Sequence, residues 1–486
     1  MSVALEKVYD EDADVSRYKE DNAEVISDMF IEVAWTTAKE KINEAGLKFY
    51  IEPYDYLNQF NVYESAALAD VPMVEFWHNG DGWINSQVIG SAKDNNKKIV
   101  AAEAFTGRPE VSMYTEDPAR LKHSADGALH NGANRMYLHH WVHQPFDDIY
   151  KPGLGMGWWG THFNRHQTWI KPGRAFFKYL TRCQMLLQHG SLYEIYDNVT
   201  HRKLDDADIF FVNNLSGEMI SYKMSFKASS RTPQFWDADK GTITAISSFE
   251  TDGQTTVIEV TLNPDESVFV VFPKDCTYED LVLPEYTVVS EKTEEIHGAW
   301  NVTFEPELGK AFERTYTELK DFSTDEDADI RYFSGTATYR KTIDIDCKTA
   351  DEDKKYMLDM GELNDIAEVW INGKNAGVAW YPPFIIDITD HVKDGSNIIE
   401  IAVSNNWANR LIGDEQYPAD FEWGTDRGVN MGRAMKSFPE WFLNSTARPS
   451  EGRKTFNIWY YYREDSPLEP AGLIGPVRVI VQNRQG

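Results

Sequence analysis

The chain has 486 residues, 42% of them hydrophobic and 13% aromatic, so it can fill several cores, and two to four domains are expected. A formal net charge of −30 sets its surface against phosphate backbones and anionic lipid, which excludes nucleic acid and membranes as natural partners. Cys183, Cys276 and Cys347 lie far apart in no metal-binding spacing, so neither a disulfide framework nor a zinc or redox centre is expected.

No apolar run approaches the length of a membrane span, and the opening MSVALEKVYDEDADV has no basic segment followed by an apolar one, so no secretory signal is read there. Residues 17–45 have helical periodicity, with Gly46 as the stop. LKFYIE then ends at Glu52, VPMVE at Glu75 and KIVAAE at Glu103. A helix expected at roughly 117–131 leads to NRMYLHH, ending at His139 and His140, and a last helix spans 174–189. Apolar runs alternating with helices at this interval are the rhythm of βα units. In a parallel barrel the strand ends share one rim, where active sites are built. The fold class expected is therefore α/β plus all-β, with a partial (β/α) barrel of TIM type over 1–190.

From about residue 206 the pattern changes to short alternating runs such as DIFFVNN, TVIEVTL and SVFVVF, which read as a β-sandwich over 200–275. A junction near 276–297 precedes a second β region over 285–486, in which INGK is a tight hairpin turn. The stretch from about 410 to 460 reads as loop.

The expected rim set is Glu52, Glu75, Glu103, His139 and His140, with Tyr54, Asp55, Trp77 and His78 just beyond the strands. Glycoside hydrolysis needs two carboxyl groups across the scissile bond, one protonated and one ionised. A single strand-end glutamate is most often a solvated loop residue. Three in successive βα units make that bland reading the lesser one. His139 and His140 alternate along a strand, so at most one of them faces inward.

EPYD (52–55), DVPMVEFW (70–77), AAEAFTG (101–107), DPARLKHSADGALHNGANR (117–135) and HQP (143–145) resemble glycoside hydrolase family 106, the α-L-rhamnosidase-like enzymes. HRKLDDADIFFVNN (201–214), RYFSGTATYRKTIDI (331–345), AEVWINGKNAGVAW (367–380), NNWANRLIGDEQ (405–416) and GLIGPV (472–477) are similar to that family's β domains, the last of them galactose-binding-like (a jelly roll). The resemblance implies an inverting glycosidase with Glu103 as general acid. Glu52, Tyr54, Glu75, Trp77, His139 and His140 then line the sugar pocket, and calcium is implied in the active site without assignable ligands. AAEAF gives Glu103 apolar neighbours, and desolvation raises a carboxyl pKa.

The family's general base lies on an earlier strand, in a segment reading roughly Asp-Ser-x-Glu, and this sequence has no counterpart. The chain alone is therefore expected to hydrolyse weakly or not at all, with a complementary chain or an oligomer covering the open barrel edge. The resemblance implies a periplasmic or extracellular location. The competing reading is a carbohydrate-binding protein without catalysis, with Trp380, Trp407, Tyr381 and Trp423 as sugar platforms. Packing of these aromatics against the barrel is the favoured account of them.

Overall fold

The computed structural model describes residues 13–54, 60–78, 80, 82–108, 111–157, 159–229, 232–274, 287–347, 354–427 and 432–485. Asp55, Cys276 and the first part of the expected 276–297 junction lie outside them.

Four strands form one parallel sheet in the order β1 (Tyr50–Ile51), β2 (Val71–Trp77), β3 (Ala101–Thr106) and β4 (Arg135–Leu138). The segment before β1 is helical over Ala13–Asp28, widens into a π-helix at Met29–Trp35 and resumes as α-helix over Thr36–Glu44. Crossover helices α1 (Val62–Leu68), α2 (Ser86–Asp94) and α3 (Pro118–His130) link successive strands. Each starts on a capping side chain. Asn61 accepts from Glu64 N, Asn85 from Gln87 N, and Asp117 from Ala119 N and Arg120 N, with Pro118 at the first helical position. Helix α4 (Arg174–Leu187) follows the long connection after β4.

One face of the sheet turns Val74, Phe76, Ala102 and Ala104 into a core shared with α2, α3 and α4. The alternate residues Glu75, Glu103 and Tyr137 emerge on the other face, side by side in register. That face is only partly covered.

Three expectations are corrected here. Glu75 and Glu103 are not terminal residues, because β2 runs on to Trp77 and β3 to Thr106. The run KIVAAE is extended only from Ala101, since the Val100 amide donates to the Asn134 side chain (3.0 Å) instead of to a neighbouring strand. The segment near 410 is not loop. Ala408–Asp414 is a fully buried helix packed on Trp407 and Tyr114, a burial that no local periodicity announces.

Beyond α4, a six-stranded antiparallel sheet centred on Ala207–Asn213 and Ser267–Pro273 and a three-stranded one containing Ile220–Phe226 and Thr256–Leu262 close on a shared core. The C-terminal region repeats the arrangement with a four-stranded and a six-stranded sheet around a second core. The six-stranded sheet contains β5 (Trp300–Pro306), β6 (Gly335–Ile345), β7 (Ile366–Ile371) and β8 (Gly395–Ser404). INGK closes its hairpin as expected, with Asn372 at φ 54° and Gly373 at φ 77°, the left-handed pair such a turn needs.

The three regions are packed, not strung. Ile209, Phe211, Phe269, Val271, Ile366 and Trp380 join the core of the parallel-sheet unit.

Candidate active site

Strand register brings the glutamates together. Glu75 and Glu103 are direct partners on adjacent parallel strands, so their side chains leave the same face about 4.8 Å apart at the backbone. Glu52 follows β1 on the same alternation. The Tyr54 hydroxyl lies 3.0 Å from Glu52 Oε1 and 2.6 Å from Glu75 Oε2. A phenol has one proton to give. It donates to one carboxylate, and the second contact closes when the other carboxyl holds a proton.

The electrostatics say which carboxyl that is. Burial, reinforced by the charges of Glu103 and Glu75, pushes the Glu52 carboxyl from its ordinary value up to about 7, against the opposing pull of the Tyr54 hydrogen bond. Near neutral pH Glu52 is part-protonated. The consistent chain is Glu52 donating to Tyr54, and Tyr54 donating to the Glu75 carboxylate. Desolvation and both carboxylates hold the Tyr54 phenol protonated.

Glu103 has a different setting. Thr106 Oγ1 donates to its Oε1 at 3.2 Å, and His139 Nε2 stands 3.7 Å from the same oxygen. The glycine closing AAEAFTG is required here, because a Cβ on Gly107 would lie 1.5 Å from Ser112 Oγ. Trp77 is half-buried, with the Arg108 guanidinium 5.6 Å from its ring and Trp159 set edge-on at 6.2 Å.

His140 does not share the open face. It is buried edge-on to His162 at 4.6 Å, neither ring nitrogen has a hydrogen-bond partner, and desolvation takes its pKa down to about 3. His78 is likewise buried and neutral at about 4, paired with Ser112 Oγ at 2.6 Å. Behind it Glu116 is buried and pushed up to about 8 by desolvation. A neutral polar layer of imidazoles and a protonated carboxyl thus underlies the acidic face.

Of the aromatics that the competing reading offers as sugar platforms, Trp380 and Trp407 are 1% and 0% exposed, as the favoured packing account expects. Trp380 packs between Phe176 and Tyr179 and donates to Asp239 at 2.7 Å, while Trp407 donates to the His166 carbonyl at 2.8 Å. Neither is free to meet a ligand. Tyr381 lies against Trp380, and Trp423 against Phe421 and Tyr460.

Sequence reading missed Trp83 and Trp141, 75% and 63% exposed in the loops beyond β2 and β4. It also missed Arg135, Tyr137 and Tyr50. Arg135 donates to the Tyr50 hydroxyl at 3.2 Å, and Tyr50 and Tyr137 meet edge-on at 6.0 Å. Extending the alternation back from His139 through Tyr137 to Arg135 would have found two of these.

Among the described residues no group of three or more His, Cys, Asp or Glu is arranged to hold a metal ion, and no helix is long and apolar enough to cross a membrane.

The model of glycoside hydrolase family 106, described as alpha-L-rhamnosidase, matches residues 3–197 and 194–251. The glycosyl hydrolase 2 galactose-binding domain-like model matches residues 316–441. A curated relative from Formosa agariphila, named "Putative beta-glucuronidase", is 23% identical across 96% of this chain and 70% of its own length. The solved structure of a rhamnosidase from Novosphingobium sp. PP1Y superimposes with a TM-score of 0.79 at 21% identity, a likeness of fold. That alignment covers 98% of this chain and 59% of the other, so the chain spans about three fifths of the solved protein's length.

Proposed function

We propose, from the premise that the chain belongs to glycoside hydrolase family 106, the alpha-L-rhamnosidase family, that it serves the inverting hydrolysis of a terminal α-L-rhamnosyl unit on a plant-type polysaccharide or glycoside. The observation that carries this is the glutamate face, with Glu52 and Glu75 joined through Tyr54, Glu103 alongside, and one proton retained near neutral pH. Glu103 is the general acid, protonating the leaving oxygen. Glu52, Tyr54 and Glu75 hold sugar hydroxyls, Trp77 and His139 border the ring, and His140 supports His139 from beneath. In a second reading Glu52 is the acid, which its raised pKa favours.

The parallel sheet with one open face fits a partial (β/α) barrel over 1–190, followed by β-sandwiches over 200–275 and 285–486. Strands β1 and β4 each pair on one side only among the described residues, and further polypeptide completes the barrel over them. With the sugar face open to water and no Asp-Ser-x-Glu base in the sequence, this chain alone turns over slowly. Calcium rests on the resemblance. The carboxylates are suitable hard donors, yet among the described residues they are not grouped as a cation site, and no step here runs through a metal. An extracytoplasmic location follows from the same family reading.

The test is turnover of an aryl α-L-rhamnoside beside an aryl β-glucuronide. Glu103→Gln is expected to lower rhamnoside hydrolysis by about 10²- to 10⁴-fold while rhamnose binding survives. The larger loss in Glu52→Gln would select the second reading. Rhamnose binding with no hydrolysis by any form would favour the non-catalytic carbohydrate-binding protein. Turnover of the glucuronide alone would overturn the substrate assignment.

A further inference from the structure

We propose that the groove between the parallel-sheet unit and the outer face of the C-terminal six-stranded sheet binds a neutral oligosaccharide chain, through residues separate from the glutamate face. Its floor follows from register. Thr336 pairs with Glu305 and Ser404, Thr338 with Ala402, and Trp370 with Glu400. Paired residues of antiparallel strands share a face. The intervening Ala337, Tyr339, Ile401 and Val403 fill the core, so the first set must point outward. The outward floor is hydroxyls, carboxylates and one half-buried indole, Trp370.

The opposite wall is the connection after β4. Arg165 fixes it by donating to the Gln144 carbonyl at 2.9 Å, the Phe146 carbonyl at 3.1 Å and Asp148 at 3.0 Å. Two ion pairs join wall to floor, Lys151 with Glu307 at 2.6 Å and Arg174 with Glu368 at 2.7 Å. The space between is about 620 Å³, within the range of small-molecule sites.

Two observations point to a polyhydroxylated occupant. Gln167 and Thr168 line the groove, are 3% and 6% exposed, and leave Gln167 Nε2 and Thr168 Oγ1 with no hydrogen-bond partner in the protein. Buried donors left without a partner call for one, and the groove they line can admit it. The charge of the lining is compensated. Asp148 meets Arg165, Glu400 meets Arg340 at 3.3 Å, and the two bridging pairs account for four more groups. Lys171 and Glu305 are of opposite sign, so no net field selects an ionic ligand. Nor does the groove offer a strand edge for an extended peptide to pair with, since its floor is the face of a sheet. Hydroxyl, amide and carboxylate partners around one aromatic ring describe a sugar.

Affinity electrophoresis of the full chain in gels containing arabinogalactan, xyloglucan or galactomannan, with polygalacturonate as the anionic comparison, tests this. Retardation by at least one neutral polysaccharide is expected. It should weaken about tenfold in Trp370→Ala, the scale of one lost aromatic contact, and be retained in Trp370→Phe. Thr168→Val, a near-isosteric change, should weaken it without altering the fold. Glu103→Gln should leave it unchanged, so failed hydrolysis with intact retardation would count against the catalytic reading only. No retardation in any neutral gel, retardation by polygalacturonate alone, or affinity unchanged in both Trp370→Ala and Thr168→Val would overturn the proposal.

Discussion

Replacing Glu52 by glutamine tests the electrostatic account of the acidic face most directly. The carboxyl stands near 7 in the folded chain against 4.5 for the free group, so folding favours its protonated form. Below about pH 4.5 both states carry the proton and the site costs nothing. As pH rises through 7 the folded chain must ionise a carboxyl beside Glu103 and Glu75, and stability is lost relative to the unfolded chain. The full shift would convert to about 3 kcal/mol at 1.36 kcal/mol per unit. Because the side chain is only partly buried, solvent screening reduces this to about 1–2 kcal/mol. Glu52→Gln keeps the shape and can donate to Tyr54. It should match the native chain near pH 5 and exceed it by about 1–2 kcal/mol at pH 8. Urea unfolding followed by tryptophan fluorescence at both pH values reads this difference. Other titrating groups, Glu116 among them, cancel between the two proteins. Stability curves that stay parallel from pH 5 to 8 would refute the shared-proton arrangement.

Two further outcomes follow from the packing. Trp407→Ala removes a fully buried indole and its hydrogen bond to the His166 carbonyl, and should cost about 3–5 kcal/mol in urea unfolding. Lys122 is fully buried, with Nζ 2.6 Å from Asp126 and 3.2 Å from Ser267 Oγ of the next unit. Lys122→Met strands the Asp126 carboxylate and should cost about 3–5 kcal/mol, part of which Asp126→Asn restores in the double variant when both are compared by circular dichroism.

The sequence was informative wherever structure is local. The helix start at 117 and the hairpin at Asn372-Gly373 were legible, because a cap or a left-handed turn is settled by a few consecutive residues. Apolar runs punctuated by Glu52, Glu75 and Glu103 announced parallel strands and an acidic face for the same reason. The misreadings lie elsewhere. The stretch from about 410 looked like loop although Ala408–Asp414 is helical, because nothing adjacent in the chain reveals a buried side chain; packing, the favoured account of Trp380 and Trp407, is what their burial shows.

Thus the sequence by itself determined the βα rhythm, the alternating β regions and the residue types on the sheet face. Tertiary structure decided that His140 is hidden while His139 meets Glu103, and that Glu52 is the carboxyl pushed to about 7. It also decided which tryptophans meet water. Periodicity travels along the chain, whereas desolvation and charge coupling depend on groups that only packing brings within a few ångströms.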